Sequence, residues 1–325
     1  MKLNRRNFLN TAGILGGAAL TAGSVPLPAL AAAPARKPQI KLGVATYSYW
    51  HFSPQKVPIE TVMDKAAALG VSAVDILHRQ MELEEKAPLD DAGRAYLRKL
   101  KRHAFHRGLG ICCLSTHQTF LKPEADVRAA NVAHTEKCIE IAYELGCPCL
   151  RINTGTWGTS KDFDDLMAHH GVEPVLPGYT EEDGFKWAID GITRCLAKAE
   201  ACGVTLALEN HWGLARTPEG LLRILNSINS PWLGALMDTG NFLFPPYKDA
   251  AYDKLAQIAP RAVYVQVKTY PGGGEWYTLN IDYRRVAKIL ADAGYTGFVS
   301  LEMEGKQDPD IAVPKSIAML RKAFA

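Results

Sequence analysis

The sequence has little net charge. Its 325 residues carry a formal net charge of +3, and the first 31 of them contribute Lys2, Arg5 and Arg6 without any acid. The rest of the chain is therefore close to neutral. This balance argues against a nucleic-acid partner and against a polybasic membrane anchor, because both need an excess of basic side chains.

The sequence also has no cysteine spacing typical of a zinc ribbon. Its seven cysteines are spread over predicted strands and helices, and Cys147 and Cys149 are too close together for the usual pair of ligands. A domain of this size does not need disulfides to be stable, even in an exported protein. We therefore interpret most of these cysteines as small buried apolar residues.

A glycine-rich phosphate loop is missing after the first predicted strand. The segment Thr46-Tyr47-Ser48-Tyr49-Trp50 follows that strand instead, which argues against the dinucleotide-binding form of an open, doubly wound sheet. Hydrophobic residues make up 47% of the chain and charged residues 22%. These fractions are those of an ordinary globular protein, so we expect a folded chain rather than a disordered one.

The N-terminal segment, residues 1–31, indicates a targeting signal. Arg5 and Arg6 precede Phe-Leu, an apolar run rich in glycine and alanine covers residues 11–23, and residues 29–31 offer a small-residue cleavage site. The segment resembles a bacterial twin-arginine export signal. The resemblance implies a folded periplasmic protein without membrane attachment after cleavage. An ordinary secretory signal and an uncleaved anchor are the alternatives.

After a Pro/Ala-rich linker at residues 32–38, one pattern repeats eight times up to residue 325. A short apolar run is followed by a polar loop and a helical stretch, and several of the helical stretches end at a glycine. The runs cover residues 40–46, 71–77, 109–115, 149–153, 204–209, 233–238, 262–268 and 298–302. Eight strand–helix units predict an α/β fold with one domain at residues 39–325, a (β/α)8 TIM barrel. A doubly wound open sheet is the alternative.

One predicted connection, residues 154–183, is longer than an ordinary loop between a strand and a helix. It leaves the fourth strand at the end of the barrel where such folds place their active sites. We interpret it as a lid or a wall of the substrate pocket. An inert surface excursion is the alternative.

Four consecutive predicted strands carry an oxygen-bearing side chain at their C-terminal ends. These residues are Glu209, Asp238, Gln266 and Glu302 on the fifth to eighth strands. Side chains alternate between the two faces of a strand, so Glu209 shares a face with Ala207, opposite the bulky apolar residues that should face the helices. We therefore expect all four side chains to point into the barrel at one rim.

Three carboxylates at one rim repel each other and resist burial unless a positive charge balances them. A divalent cation would do so, and ligands that are all oxygen suit Mn²⁺ or Mg²⁺. As an alternative, the acids are separate polar ends of strands that pair with Lys268 or Arg151. Glu304 has the same strand phase as Glu302 and is the second candidate for the fourth ligand.

The segments at 208–211, 237–241, 266–268 and 300–302 resemble signature segments of the xylose isomerase-like TIM-barrel superfamily of sugar isomerases and epimerases. The resemblance implies metal ligands at Glu209, Asp238, Gln266 and Glu302, with Mn²⁺ as the first choice and Mg²⁺ or Co²⁺ as alternatives. It also implies that Glu209 and Glu302 are the acid/base pair. Many members have His-x-Lys where this chain has Gln266-Val267-Lys268, which weakens any transfer of substrate identity.

The implied reaction removes a proton from the carbon next to a sugar carbonyl. A metal stabilises the resulting enediolate, one carboxylate takes the proton, and a second returns it or donates to a leaving group. We predict an isomerase or epimerase with a small sugar as its substrate. A lyase or hydratase acting on a 3-keto-glycoside, and a sugar-binding barrel without turnover, are the alternatives. The chain is a possible homo-oligomer.

Further polar and aromatic residues close to the predicted strand ends are candidates for binding the substrate. Arg151 could hold sugar hydroxyls or instead balance the acids of the rim. Histidines and tryptophans at such positions suit sugar recognition, although each can also serve only in packing. The candidates are His211, Lys268, Arg151, His117, Trp212 and Asn241.

Overall fold

Eight parallel strands close into a barrel in which each strand pairs with its neighbours in chain order. The computed structural model describes residues 40–242 and 248–325. The predicted TIM barrel is confirmed. The strands are β1 (Lys41–Ala45), β2 (Ala73–Leu77), β3 (Gly110–Ser115), β4 (Cys149–Ile152), β5 (Thr205–Glu209), β6 (Leu233–Asp238), β7 (Ala262–Thr269) and β8 (Phe298–Met303). The predicted targeting segment at 1–31 and linker at 32–38 lie outside the described residues.

Helices alternate with the strands around the barrel. They are α1 (Ile59–Ala68), α2 (Asp91–His106), α3 (Ala125–Leu145), the short α4 (Phe163–Ala168), α5 (Glu181–Cys202), α6 (Pro218–Ile228), α7 (Lys248–Ile258), α8 (Tyr283–Asp292) and α9 (Pro309–Ala323). Within the described ranges, we find no helix that is both long enough and apolar enough to cross a membrane.

The ends of α5 fix how the chain re-enters the barrel at β5. Thr180 and Asp183 form a capping box at the start of the helix, which satisfies two backbone N–H groups. Gly203 ends the helix in the left-handed conformation, with φ at 64°. The capping box thus fixes where the long connection ends and α5 begins. Gly203 fixes where α5 ends, and β5 starts two residues after this glycine.

Strand register brings the predicted rim residues together. Asp238 of β6 is the Cα partner of Gln266 on β7, and Lys268 of β7 is the partner of Glu302 on β8. Since side chains of paired residues in adjacent strands point to the same face, these four groups meet inside the barrel.

Below the rim, a small apolar cluster fills the interior of the barrel. Ala207, which was predicted to share the inward face of β5 with Glu209, lies in this cluster together with Leu236 and Tyr264. Leu206 and Leu208 instead belong to the larger core between the strands and the helices. The predicted alternation of β5 is thus confirmed. The polar residues of the rim lie above a layer of packed apolar side chains.

The long connection is anchored against the loop that follows β5. Gly213 has a φ of +76°, and a Cβ atom built on it would lie 2.0 Å from the carbonyl oxygen of Gly155. The neighbouring Leu214 N–H donates to Thr154 Oγ1 at 3.3 Å. This close backbone approach requires glycine at position 213.

We expect Gly213→Ala to lower the free energy of unfolding by more than the about 1–2 kcal/mol that a left-handed alanine costs by itself, because the added methyl must push two backbone segments apart. Gly178→Ala is the matched control. Gly178 has a φ of +87° and no atom within 4 Å of a built Cβ. Urea denaturation of both variants measures the difference, and equal losses would show that the contact with Gly155 carries no strain.

Candidate active site

A cavity of about 610 Å³ opens at the C-terminal ends of the strands. Eight of the ten predicted site residues line it, namely Glu209, Glu302, His211, Lys268, Arg151, His117, Trp212 and Asn241. The other two, Asp238 and Gln266, are completely buried. Asp238 nevertheless lies near the cavity, because its Oδ2 is 3.6 Å from Lys268 Nζ.

Glu209 is held by three partners at the end of β5. Asn153 donates to its Oε2 at 2.8 Å, Asn241 donates to its Oε1 at 3.2 Å, and Arg151 Nη1 lies 3.4 Å away. Burial raises the pKa of the Glu209 carboxyl, but the positive charge of Arg151 and the other nearby groups outweigh burial and bring the pKa below its ordinary value. The buried side chain is therefore a carboxylate at neutral pH.

One oxygen of Asp238 is satisfied and the other is not. Its Oδ1 accepts hydrogen bonds from the backbone N–H groups of Gly240 at 2.7 Å and Asn241 at 3.0 Å. Its Oδ2 is buried and has no hydrogen-bond partner among the described residues. Burial raises the pKa of Asp238 well above its usual range, against the opposing charge of Lys268.

Gln266 is oriented by an acid that the sequence analysis did not single out. Its Nε2 donates to Asp75 Oδ2 at 2.8 Å, and Ser115 donates to the other oxygen of that carboxylate, also at 2.8 Å. Burial raises the pKa of Asp75 to about 6, although both hydrogen bonds oppose the rise. Within the described part of the chain, the buried Oε1 of Gln266 has no partner. Asp75 thus fixes which atom of the amide remains available as a ligand.

Lys268 is the counter-charge for three acids at the rim. Its Nζ donates to Glu302 at 2.8 Å and to Glu304 at 2.6 Å and approaches Asp238. Burial lowers the pKa of Lys268, but the charges of these three acids outweigh burial and raise the pKa well above its ordinary value. The ammonium group therefore stays charged. These contacts, with the Arg151–Glu209 pair, are the ion pairs that the sequence suggested as an alternative to a metal.

The rim residues nevertheless fit a divalent cation. Asp238 Oδ2 and Gln266 Oε1 are buried acceptors on adjacent strands, and neither accepts a hydrogen bond from the described residues. A buried acceptor without a partner costs free energy that a cation would recover. The available ligand atoms are all oxygens, which suits a hard cation such as Mn²⁺ or Mg²⁺. Asp238, Gln266, Glu209 and Glu302 are the residues that would hold it.

His117 is a neutral histidine in the lining of the cavity. Arg151 Nη2 lies 3.1 Å from His117 Nε2, and a guanidinium can only donate, so this ring nitrogen accepts. Burial, followed by the charge of Arg151, lowers the pKa of His117 well below its ordinary value. The neutral ring therefore carries its proton on Nδ1, a buried atom without a hydrogen-bond partner in the described ranges.

Aromatic side chains form one side of the cavity. We call Phe163, Trp212 and Trp276 the aromatic wall. The Phe163 ring lies 5.6 Å from that of Trp212 and 5.0 Å from that of Trp276, and the His211 ring lies 4.5 Å from Trp212. Phe163 belongs to α4, in the connection that the sequence analysis interpreted as a lid or a pocket wall. Residues 154–183 thus contribute a side chain to the lining of the cavity.

Comparison with known sequences gives a family match over most of the chain. Residues 63–323 match the family described as the xylose isomerase-like TIM barrel. An inosose dehydratase of Clostridium perfringens is 23% identical over 180 residues, which cover 46% of this chain and 58% of that protein. The chain thus spans a little more than half the length of the curated relatives it matches.

Solved structures with similar folds extend over nearly the whole described chain. The 3-keto-D-glucoside 4-epimerase from E. coli superimposes with a TM-score of 0.67 at 15% identity, covering 87% of this chain and 100% of the epimerase. The IOLI protein, solved with a bound zinc atom, superimposes with a TM-score of 0.64 at 15% identity, covering 87% and 96%. The closed barrel and the match over residues 63–323 together show that the chain belongs to the xylose isomerase-like TIM barrel family.

Proposed function

We propose that the protein is a metal-dependent isomerase or epimerase that removes a proton from a carbon next to the carbonyl group of a sugar. The observation that carries the proposal is the rim itself, where ionised Glu209 and Lys268-bound Glu302 line one cavity above the unpaired oxygens of Asp238 and Gln266. A binding protein has no need of this buried, charged arrangement. The resemblance to the dehydratase and to the epimerase supports the same chemistry.

Each residue has a role in the proposed reaction. Glu209 accepts the proton from the α-carbon. The electron pair of the broken C–H bond forms a C=C double bond, and the π electrons of the carbonyl group move to its oxygen to give an enediolate. Glu302 first takes up a proton from solvent in the cavity and then delivers it to the opposite face of the same carbon, which yields the epimer. Delivery to the neighbouring carbon, with transfer of the remaining hydroxyl proton from one oxygen to the other, yields the isomer. When bound, the divalent cation supplies Lewis-acid polarisation of the carbonyl oxygen.

The cavity is suited to an uncharged sugar. Its volume falls within the about 300–1,000 Å³ that is usual for small-molecule sites. The aromatic wall offers flat apolar surfaces that pack against the C–H groups of a sugar ring. His117 is a further polar side chain in the lining of the same cavity.

A second candidate is elimination from a 3-keto-glycoside. After the same proton abstraction, the enediolate would expel a β-substituent with cleavage of a C–O bond, and the second carboxylic acid would protonate the departing oxygen. The curated relative is a dehydratase, which favours this outcome. We also propose export by the twin-arginine route, which would restrict the enzyme to the periplasm. Phosphorylated sugars are scarce there, so export favours an unphosphorylated substrate such as a 3-keto-glycoside.

Isotope exchange with product analysis tests the proposal. The protein, loaded with Mn²⁺, is incubated in D₂O with ketohexoses and with 3-keto-glucosides, and the sugars are examined by proton NMR after removal of the metal. We expect deuterium at a carbon next to the carbonyl, together with an epimer or isomer. An unsaturated product would establish elimination instead. Tight metal binding without deuterium uptake by any of these sugars would favour the sugar-binding barrel.

A further inference from the structure

Two imidazoles and a thiol meet between the end of β2 and the middle of α3. His78 directly follows β2, while His134 and Cys138 lie four residues apart on α3 and therefore share one helix face. Cys138 Sγ is 3.8 Å from His78 Nδ1 and 3.6 Å from His134 Nε2. One ligand atom from each side chain lies within 4.8 Å of the other two.

These distances match those between the ligands of a tetrahedral zinc ion. Zinc–sulfur bonds of about 2.3 Å and zinc–nitrogen bonds of about 2.0–2.1 Å at tetrahedral angles separate sulfur from nitrogen by about 3.6 Å. The two observed sulfur–nitrogen distances, 3.6 and 3.8 Å, require almost no movement. The two imidazole nitrogens lie within 4.8 Å of each other, so the thiol is already placed for zinc, and a small shift of the rings would complete the arrangement.

The cluster is poorly satisfied by hydrogen bonds alone. His78 is 1% exposed. Among the described residues, the hydrogen-bond partner of its Nδ1 is the thiol of Cys138, which is a weak partner. Its Nε2 is buried and unpaired as far as the described residues show. Buried polar groups are normally paired, so a metal bound at Nδ1 would replace a weak partner with a strong one.

The two imidazoles are in the protonation state that a metal requires, whereas the thiol must lose its proton. Burial lowers the pKa of His78 to about 4 and also lowers that of His134, so both rings are neutral at pH 7 and able to bind a cation. Burial raises the pKa of the Cys138 thiol to about 12. Metal binding must therefore release the thiol proton, and the affinity will increase as the pH rises.

Some charged side chains near the cluster favour a bound cation, and others oppose it. Glu85 favours a cation at the cluster, whereas Arg79, Lys86 and Lys137 oppose it. Arg79 is already paired with Glu85, and Lys137 donates to the backbone carbonyl groups of Glu85 and Ala87. These hydrogen bonds direct the charge of Lys137 toward the loop after β2.

We propose that His78, His134 and Cys138 form a second metal site, which takes Zn²⁺ or another thiophilic divalent cation. The site is separate from the cavity at the C-terminal ends of the strands. Leu77 and Arg79 line that cavity, whereas His78, which lies between them in the chain, does not. Thiolate and imidazole ligands select softer ions than the oxygen ligands at the rim do. The ion would tie the end of β2 to α3, and half-buried His134 leaves it a path of entry.

Co²⁺ titration of the full chain tests this site. A thiolate ligand to Co²⁺ gives a sulfur-to-metal charge-transfer band in the near ultraviolet, whereas the rim site has no thiolate and gives none. We expect the band in the wild type and in Asp238→Asn. We expect its loss in Cys138→Ser, with the affinity of the site for Zn²⁺ at least about 100-fold weaker.

Cys195→Ser is the matched control, because Cys195 is also a buried helical cysteine, and its thiol donates to the carbonyl of Gly191 at 3.3 Å. It should keep the band. His134→Ala, at a half-buried position, gives a second variant if Cys138→Ser does not fold. A wild type without the band, or a Cys138→Ser variant that retains it, would overturn the proposal. Loss of sugar exchange with the band intact would count against the proposed function alone.

Discussion

Replacing Glu302 with glutamine will slow the appearance of deuterium in the epimer or isomer by about 10²–10⁴-fold, the range usual for the loss of a general acid or base. The amide keeps an oxygen that can act as a ligand but cannot carry the proton. The variant should therefore still bind Mn²⁺, and the loss should appear in kcat rather than in KM. The rate at which deuterium appears in the product at saturating metal measures the effect.

Glu304→Gln is the control for this experiment. Glu304 contacts the same Lys268 Nζ as Glu302 does, but it lies beyond the end of β8 and its side chain is more exposed, at 22% against 9%. We expect the rate at which deuterium appears in the product to fall by less than about tenfold in this variant, because it alters the environment of the rim without removing a proton carrier. A larger loss in Glu304→Gln than in Glu302→Gln would reverse the assignment of the two acids.

Replacing Lys268 with methionine will destabilise the metal-free protein by about 3–5 kcal/mol, the cost usual for leaving one partner of a buried ion pair uncompensated. Three carboxyl groups, those of Asp238, Glu302 and Glu304, would lose their common counter-charge. Mn²⁺ should recover much of this loss. The increase in the free energy of unfolding on adding Mn²⁺ should therefore be larger in Lys268→Met than in the wild type.

The pH dependence of Lys268→Met follows from the same charges. Burial already raises the pKa of Asp238 well above its usual range, and loss of the ammonium will raise it further. A folded-state pKa above the unfolded value means that the folded chain binds more protons, so stability falls as the pH rises. The metal-free variant should thus be closer to the wild type in stability at pH 5 than at pH 8.

Lys306→Met is the control for the lysine experiment. Lys306 also lines the cavity, but its pair with Glu275 is more than half exposed. Such a surface pair contributes at most about 1 kcal/mol, and we expect little change on its removal. A metal-free Lys268→Met variant as stable as Lys306→Met would show that the rim acids do not depend on Lys268.

The acids at the rim could be predicted because two regular patterns locate them. Strand alternation has a period of two, and consecutive strands of a barrel are neighbours, so Glu209, Asp238 and Glu302 could be assigned to one end and one face. The pairing of adjacent strands and the burial of these three acids follow from the same two patterns. The structure adds the ion pair between Lys268 and Glu302. From the sequence, ion pairing of the rim acids with Lys268 was only the alternative to a metal site.

Other parts of the site depend on contacts that no local pattern reveals. Asp75 interrupts an apolar strand, and a buried acid there was the available signal, but its partners Ser115 and Gln266 lie far away in the chain. Phe163 belongs to a connection without periodicity, and only tertiary packing brings it to Trp212. The cluster around Cys138 likewise joins two elements, so a thiol interpreted as a small apolar residue gains its polar neighbours only on folding.

Anomalous diffraction from crystals soaked in Mn²⁺ will decide whether the rim holds a metal. We predict a peak at the mouth of the barrel that is coordinated by Asp238 and Gln266 together with Glu209 and Glu302. Such a peak would place a hard cation among the acids proposed to enolise the sugar. A mouth without a peak, with Lys268 still bridging the acids at saturating Mn²⁺, would contradict metal-dependent catalysis at this rim.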